Sequence, residues 1–357
     1  MKVAIIPFYS TQLNNVFFCE DELSNRDGAR EPFIQLKSYL ELCDLIVNTV
    51  DILNVGDADK IVFFNLELKY LVEAFFSGKL KNSIYISFEP PVVRSLHKPE
   101  NLKLIAKVFG RTLTWQDDLI ACYKFKKFYF PMPRRNNNVK EIPFSDKKLI
   151  TTIVGFKHSK SPNELYSHRI EAIRFLEKKY PDSFEFYGVG WDEDIYPNYK
   201  GSVDNKLEKL SEYKFSICYE NECKINGLIS EKIFDCFYAG VIPIFWGADN
   251  IQEYIPEECY IDKRDFKNYG VLCDYLENMS ETIYSKRVAA IEAYLSSSNF
   301  SMHSSKSFAN TIYNAIEQID AEPVGVYDFL KLIIHIVMDK LNRFFSRKLS
   351  GILGFRW

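Results

Sequence analysis

The sequence predicts an α/β protein of two parallel-sheet domains facing a central cleft, followed by a helical tail. Three observations lead there. Short β-branched and aromatic runs alternate with longer helical patterns, the arrangement of parallel α/β units. That rhythm breaks once, at PMPRRNNNVKEIPFSDKK (131–148), a stretch rich in Pro, Asn and charge that reads as a linker. With 357 residues, the chain also exceeds the usual size of one compact core.

In the first half the expected strands are KVAIIPF (2–8), DLIVNTV (44–50), KIVFFNLE (60–67), SIYISFE (83–89) and RTLTW (111–115), with helical patterns between them such as LELKYLVEAFFSGKL (66–80). After the linker the rhythm restarts. LITTIVG (149–155) reads as a strand, NELYSHRIEAIRFLEKKY (163–180) as an amphipathic helix and FEFYGVG (184–190) as a strand. A helical NKLEKLSEYK, the strand FSICYEN (215–221), a helix from Glu231 and the buried strand VIPIFWG (241–247) follow. Helices continue over 267–278, 281–297 and 303–320. The expected domains are therefore 1–140 and 141–322, with the strand ends that face the cleft as the default ligand site, and 323–357 as a separate tail.

Composition narrows the function classes. A net charge of −3 argues against a nucleic-acid binder that works through a positive surface field. The heavy use of Phe and Tyr is read as core. The cysteines Cys19, Cys43, Cys122, Cys218, Cys223, Cys236, Cys259 and Cys273 form no CxxC pair and no zinc spacing, and several sit in apolar runs, so reduced thiols in a reducing compartment are expected. The opening MKVAIIPFYS breaks too early for a signal peptide, and no segment holds the roughly 18 uninterrupted apolar residues of a membrane span. A cytoplasmic body is expected, which also disfavours a periplasmic binding protein. The tail VYDFLKLIIHIVMDKLNRFFSRKLSGILGFRW (326–357) has one broad apolar face and, after residue 330, six Lys or Arg against the single acid Asp339. Lys340, Arg343, Arg347 and Lys348 beside Phe344 and Phe345 suit an anionic membrane face, and a helix packed on the body is the alternative.

Three places hold candidate chemistry. In LISEKIFDCFYAGVIPIFWG (228–247), Ser230 is expected to cap a helix that starts at Glu231 and presents free N–H groups to a ligand. Lys232 puts a full positive charge in the first turn, where the helix dipole does not favour one, and a diphosphate would compensate it. Glu231 is placed to accept hydrogen bonds from ribose hydroxyls. Arg169, in YSHRIEAIRF, offers a fork for phosphate or a surface salt bridge with Glu164 or Glu171. In YISFEPP (85–91), Glu89 ends an apolar strand before Pro90 and Pro91, and burial there would raise its pKa toward that of a general base. The literal Asp192-Glu193-Asp194 triplet is read as a solvated loop rather than a metal site.

The run NKLEKLSEYKFSICYENECKINGLISEKIFDCFYAGVIPIFWG (205–247) resembles the signature of the α-1,3/4-fucosyltransferases, in which a "KF…FEN" strand leads through a loop to "TEK", an apolar helix and a "P-hydrophobic-W/L-G" strand. CYIDKRDF (259–266) resembles that family's next block, and a looser match runs from roughly 83 to 278. The resemblance implies a GT-B fold of two Rossmann-like domains and inverting transfer of L-fucose from GDP-fucose to a glycan hydroxyl, α-1,3 to a GlcNAc-type sugar of a cell-surface polysaccharide or lipopolysaccharide. It implies Lys232 as a diphosphate contact, Glu231 as a ribose contact, Asn221 near the donor, Arg169 on the diphosphate and Glu89 as the catalytic base. Its bacterial members hold to the inner membrane through a basic amphipathic C-terminus. No metal or other cofactor is expected. Two departures stand out: Leu228 occupies the place of the family's tyrosine, and the loop from Asn221 to Lys232 is one residue longer. They keep open a different nucleotide sugar, and a non-catalytic sugar-binding protein is the alternative from another class.

Overall fold

The computed structural model describes residues 1–20, 28–122, 124–133, 142–319 and 324–352, with side chains described to residue 345. The chain forms two units, one of residues 1–134 with 302–355 and one centred on 135–301. The part of the expected linker between 134 and 141, and part of the irregular segment 10–30, lie outside the described residues.

The first unit contains β1 (Lys2–Ile6), α1 (Glu31–Leu42), β2 (Ile46–Thr49), β3 (Lys60–Phe63), α2 (Leu68–Phe76), β4 (Ser83–Ser87), α3 (Pro99–Val108), β5 (Arg111–Thr114), α4 (Asp117–Ile120) and β6 (Phe125–Lys127). The strands make one parallel sheet in the order β2-β1-β3-β4-β5-β6. Both faces are covered, so β4 is buried along its whole length and reads as an apolar run rather than an alternation. Phenylalanines gather where the strands end: the Phe8 ring meets Phe33, Phe64 and Phe88, and Phe88 meets Phe308. The expectation that the aromatics are core holds here.

The second unit contains β7 (Lys148–Ile153), α5 (Tyr166–Lys179), β8 (Glu185–Tyr187), α6 (Lys206–Ser211), β9 (Tyr213–Tyr219), α7 (Glu231–Tyr238), β10 (Ile242–Trp246), β11 (Ile261–Asp262), α8 (Tyr269–Glu277), α9 (Glu281–Leu295) and α10 (Ser298–Ser301). Its sheet is also parallel, in the order β11-β10-β9-β7-β8. Asn205, Asn268 and Ser280 cap α6, α8 and α9 by accepting backbone N–H bonds. Gly188 allows the loop after β8 to touch the one after β7, because a Cβ there would lie 1.9 Å from the Val154 carbonyl oxygen.

Two helices then return to the first unit. The expected boundary at 322 differs from the observed one at 301 because α11 (Ser305–Glu317) belongs with the first sheet: its N-terminal Ser305 hydroxyl donates to Glu31 of α1 at 2.6 Å, and Phe308 and Ile312 are buried. The tail is not separate either. The first turns of α12 (Val326–Ile352) carry Phe329, Leu332 and Ile336 into the core of the first unit, and the Phe329 ring stacks on Phe75 at 3.8 Å. Further along, Asp339 accepts from Ser95 at 2.6 Å and pairs with Arg343, while Lys340 faces Glu67. Two of the basic residues expected to face a membrane are thus already beside acids, whereas Phe344 and Phe345 are exposed. The side chains of Arg347 and Lys348 lie outside the described residues. No helix among the described residues is long and apolar enough to cross a membrane.

Candidate active site

The second sheet builds a cavity of about 190 Å³ at the carboxyl ends of β7 and β9. That is smaller than the roughly 300–1,000 Å³ of a complete ligand pocket, so it has room for part of a ligand of that size. Gly155 and Lys157 line it from the loop after β7, Arg169 from α5, Lys206 from α6, and Glu231, Lys232 and Cys236 from α7. Asn221 and Cys218 enter from β9 and the residues just beyond it. Four of the residues expected at a donor site, Arg169, Asn221, Glu231 and Lys232, therefore meet at one place.

Arg169 makes no surface salt bridge. It is buried, and its guanidinium donates to the Tyr219 carbonyl at 2.7 Å and to Asn221 Oδ1 at 3.0 Å. Its Nε has no hydrogen-bond partner among the described residues. Burial lowers its pKa, opposed by Tyr166, Glu220 and other nearby groups, so a cation is kept here at a desolvation cost. Glu164 and Glu171, its expected surface partners, bond instead to Ser167 and His168.

Ser230 does not cap α7 with its side chain. Its hydroxyl bonds to both oxygens of Glu220, at 2.7 and 2.8 Å, and its backbone N–H donates to Glu220 at 2.9 Å. Lys232 completes the group, donating to Glu220 at 3.0 Å and to Ser230 Oγ at 2.8 Å, with Glu231 at 3.5 Å. The cation at the helix start is thus not waiting for a diphosphate to neutralise it, as the sequence suggested: Glu220 already does so. Burial acts against the Lys232 charge, but Glu220 and Glu231 outweigh it and hold its pKa above the ordinary lysine value.

Glu231 is ringed by protein yet keeps 56% of its side-chain surface open. Desolvation would raise its pKa, but the Lys232 and Lys206 charges prevail and hold it down at about 2. It stays an acceptor-only carboxylate at neutral pH, as a ribose contact requires. Lys206, which the sequence reading passed over, reaches Asp235 at 2.6 Å, and that carboxylate together with Glu231 raises its pKa against burial. Carboxylates and ammonium groups alternate from Glu220 through Lys232, Glu231 and Lys206 to Asp235, and the cavity wall itself carries more cations than anions. Such a wall suits an anionic ligand.

Glu89 belongs to the first unit and sits two residues beyond β4 rather than at its end. The expected burial is not found, and the residue is exposed. Its position is nonetheless fixed through its backbone. The buried His97 ring donates from Nδ1 to the Glu89 carbonyl at 2.5 Å, and Trp115 Nε1 donates to the Phe88 carbonyl at 2.8 Å. Leu228 is buried and is not part of the cavity wall. Asp192, Glu193 and Asp194 are exposed, and no group of three or more His, Cys, Asp or Glu among the described residues is arranged to hold a metal.

Residues 146–312 match the family model described as glycosyltransferase family 10 (fucosyltransferase), C-terminal part. The resemblance to the family 10 fucosyltransferases holds. An α-(1,3)-fucosyltransferase of Helicobacter pylori is 37% identical over 76 residues, 21% of this chain and 16% of that protein. The mouse 4-galactosyl-N-acetylglucosaminide 3-α-L-fucosyltransferase 9 is 25% identical over 202 residues, 56% of this chain and 49% of that protein. These matches span less than two thirds of either relative's length. A solved α1,3-fucosyltransferase superposes with a TM-score of 0.56 at 15% identity, covering 90% of this chain and 91% of the other. Anabaena HepE, solved with UDP and glucose, gives 0.55 at 9% identity, covering 89% and 100%. At these identities the structures establish the fold, a GT-B type pair of Rossmann-like units.

Proposed function

We propose that the chain is a fucosyltransferase that moves L-fucose from GDP-fucose to a glycan hydroxyl with inversion. One observation carries this reading: Arg169, Asn221, Glu231 and Lys232, the residues assigned to the donor by resemblance to family 10, line a single cation-rich cavity at the strand ends of the matching unit. A solved α1,3-fucosyltransferase of the same fold holds GDP-fucose, which supports the same donor here.

In the proposed reaction Glu89 accepts the proton of the acceptor hydroxyl as its oxygen bonds to the anomeric carbon of fucose. The bond from that carbon to the diphosphate oxygen breaks, and GDP leaves with the electron pair. Lys232 and Arg169 stabilise the charge that develops on the leaving group, which is where fixed charges contribute most. Glu231 receives the ribose hydroxyls. These two cations supply the role a metal would otherwise take, so turnover is expected to survive a chelator. The acceptor is proposed to be a GlcNAc-type sugar of a surface polysaccharide, joined α-1,3. The protein is proposed to work in the cytoplasm, held at the inner membrane face by the exposed apolar residues late in α12. A GDP-sugar other than fucose is the second reading, motivated by Leu228 in place of the family's tyrosine.

Calorimetry with GDP-fucose, GDP-mannose and UDP-galactose tests the donor, followed by a transfer assay on the parent and on E89Q with EDTA present. Selective GDP-fucose binding and a loss of turnover of at least about a hundredfold in E89Q are expected. Equal binding of both GDP-sugars would favour the second reading, and undiminished turnover in E89Q would remove Glu89 from the chemistry.

A further inference from the structure

We propose that Glu220 is a positioning residue for the donor diphosphate, a buried carboxylate that fixes the Lys232 ammonium at the cavity wall directly and through Ser230. The inference rests on reading the cavity as the GDP site.

Glu220 follows β9 immediately, and its backbone N–H is tied to the Trp246 carbonyl at 2.8 Å. Only 1% of the residue is exposed, and it is not part of the cavity wall, so it meets no ligand itself. It receives three donors: the Ser230 N–H, the Ser230 hydroxyl and the Lys232 ammonium. The opposite side is closed by Gly247. A Cβ there would lie 2.7 Å from Glu220 Cγ and 2.7 Å from the Phe245 ring, so the space for the carboxylate exists because residue 247 is glycine. Burying a carboxylate this completely is costly unless its charge and lone pairs are answered, and here they are.

The arrangement solves a problem of choice. Lys232 lies between two carboxylates, Glu220 at 3.0 Å and Glu231 at 3.5 Å. If Glu231 alone held the lysine, the carboxylate assigned to ribose would be occupied and the ammonium would turn along the wall. With Glu220 behind it, Lys232 is anchored from the protein side even as it pairs with Glu231, which keeps 56% of its side-chain surface open. The groups around Lys232 are Glu220 beyond β9, Glu231 on α7, Arg169 on α5, and the thiols Cys218 on β9 and Cys236 on α7, while Lys206 on α6 faces Glu231. Glu220 and Glu231 favour the ammonium; burial and Arg169 oppose it. Removing the Glu220 charge shifts that balance toward neutral lysine.

The test is GDP binding by calorimetry between pH 6.5 and 9.5 on the full chain, for the parent, E220Q and E220D, with thermal unfolding checked for each. The parent is expected to follow only the titration of GDP itself. E220Q is expected to bind about tenfold more weakly at pH 7 and to weaken further toward pH 9.5, as the neutral lysine gains population without the Glu220 charge. E220D keeps the charge and is expected to show a several-fold loss with the parent's pH profile. An E220Q profile parallel to the parent's, whatever its offset, overturns the proposal, because a merely structural role gives that result. If E220Q does not fold, E220D decides in the K232A background: a loss that disappears once Lys232 is gone supports the proposal, and an equal loss overturns it. A parent that binds no GDP overturns the reading of the cavity, and the proposal with it. Parental GDP binding with a parallel E220Q profile overturns the Glu220 role alone.

Discussion

Acidification from pH 7 to pH 5 is expected to loosen the first unit, whose core holds two imidazoles neutral. The His97 ring is 2% exposed and lies between the Glu89 carbonyl, 2.5 Å from Nδ1, and the Tyr85 hydroxyl, 2.6 Å from Nε2. A carbonyl only accepts, so Nδ1 carries the proton and Nε2 accepts from Tyr85. A second proton would have to enter at Nε2, which is buried against the Tyr85 hydroxyl. Burial is the largest cause and the Arg94 charge adds to it; together they lower the pKa to about 3 against the opposing bond to Glu89. In the unfolded chain the same ring titrates near about 6.5. Below that pH the unfolded state takes up a proton that the folded state refuses. The stabilisation is therefore whole above about pH 6.5 and falls as pH drops toward 3. At pH 5 this amounts to about 1.5 pH units, or about 2 kcal/mol. His303, also 2% exposed and lowered to about 4 chiefly by burial, acts in the same direction and adds about as much. A combined loss of about 4 kcal/mol is a large part of the roughly 5–15 kcal/mol that holds a domain folded. The assay is urea unfolding at pH 7 and pH 5 for the parent, H97Q and H303Q. At position 97 glutamine can still donate to the Glu89 carbonyl and accept from the Tyr85 hydroxyl, and at position 303 it can still donate to the Phe130 carbonyl, so each variant should lose about half of the pH dependence. Unfolding free energies that are equal at the two pH values, or an unaltered pH dependence in H97Q, would refute the reasoning. The first effect should fall on the loop that carries Glu89, because His97 holds its backbone.

Two other outcomes follow from the packing. Gly247→Ala places a methyl group against Glu220 and Phe245, and is expected to cost about 1–3 kcal/mol while weakening GDP binding; parental values on both counts would show that the carboxylate has room to move. Deleting α12 is expected to unfold the first unit, since Phe329, Leu332 and Ile336 contribute roughly 5 kcal/mol or more by burial. Membrane attachment must therefore be tested without truncation. F344S combined with F345S should release the protein from anionic vesicles at unchanged melting temperature, and continued sedimentation with them would dismiss the membrane role.

The order of strands and helices was legible because parallel strands buried on both faces leave continuous apolar runs, as SIYIS and VIPIFW do. Local pattern carries no such information about long-range packing. The SKSFANTIYNAIE segment has the same apolar periodicity whichever sheet it covers, so its return to α1 could not be read. The same holds for α12, whose broad apolar face looked like a free surface and is partly core. The three-residue β6 and two-residue β11 are too short to show a period. Glu89 was expected to end an apolar strand, but β4 ends at Ser87, and Pro90 and Pro91 turn a chain that has already left the sheet.

At the cavity the sequence displayed the charges that line the wall and concealed those that hold them. Glu231 and Lys232 are adjacent in the chain and invite pairing with each other. Yet Lys232 also donates to Glu220, twelve residues away and closer than Glu231, because β9 and α7 bring the two together and Gly247 clears the space. The signal for Glu220 was one position from a residue already singled out, in the YEN that ends β9, but a carboxylate's partner across a turn has no spacing rule. Lys206 and Asp235 are separated in the same way, by the length of β9 and the loop before α7. Charges that serve a ligand must reach the cavity wall. The charges that aim them must be buried, and a buried ion is tolerable only beside an opposite ion supplied by another element of the fold. That is why the residues lining the cavity could be named from a local motif, while the residues that orient them required the assembled sheet.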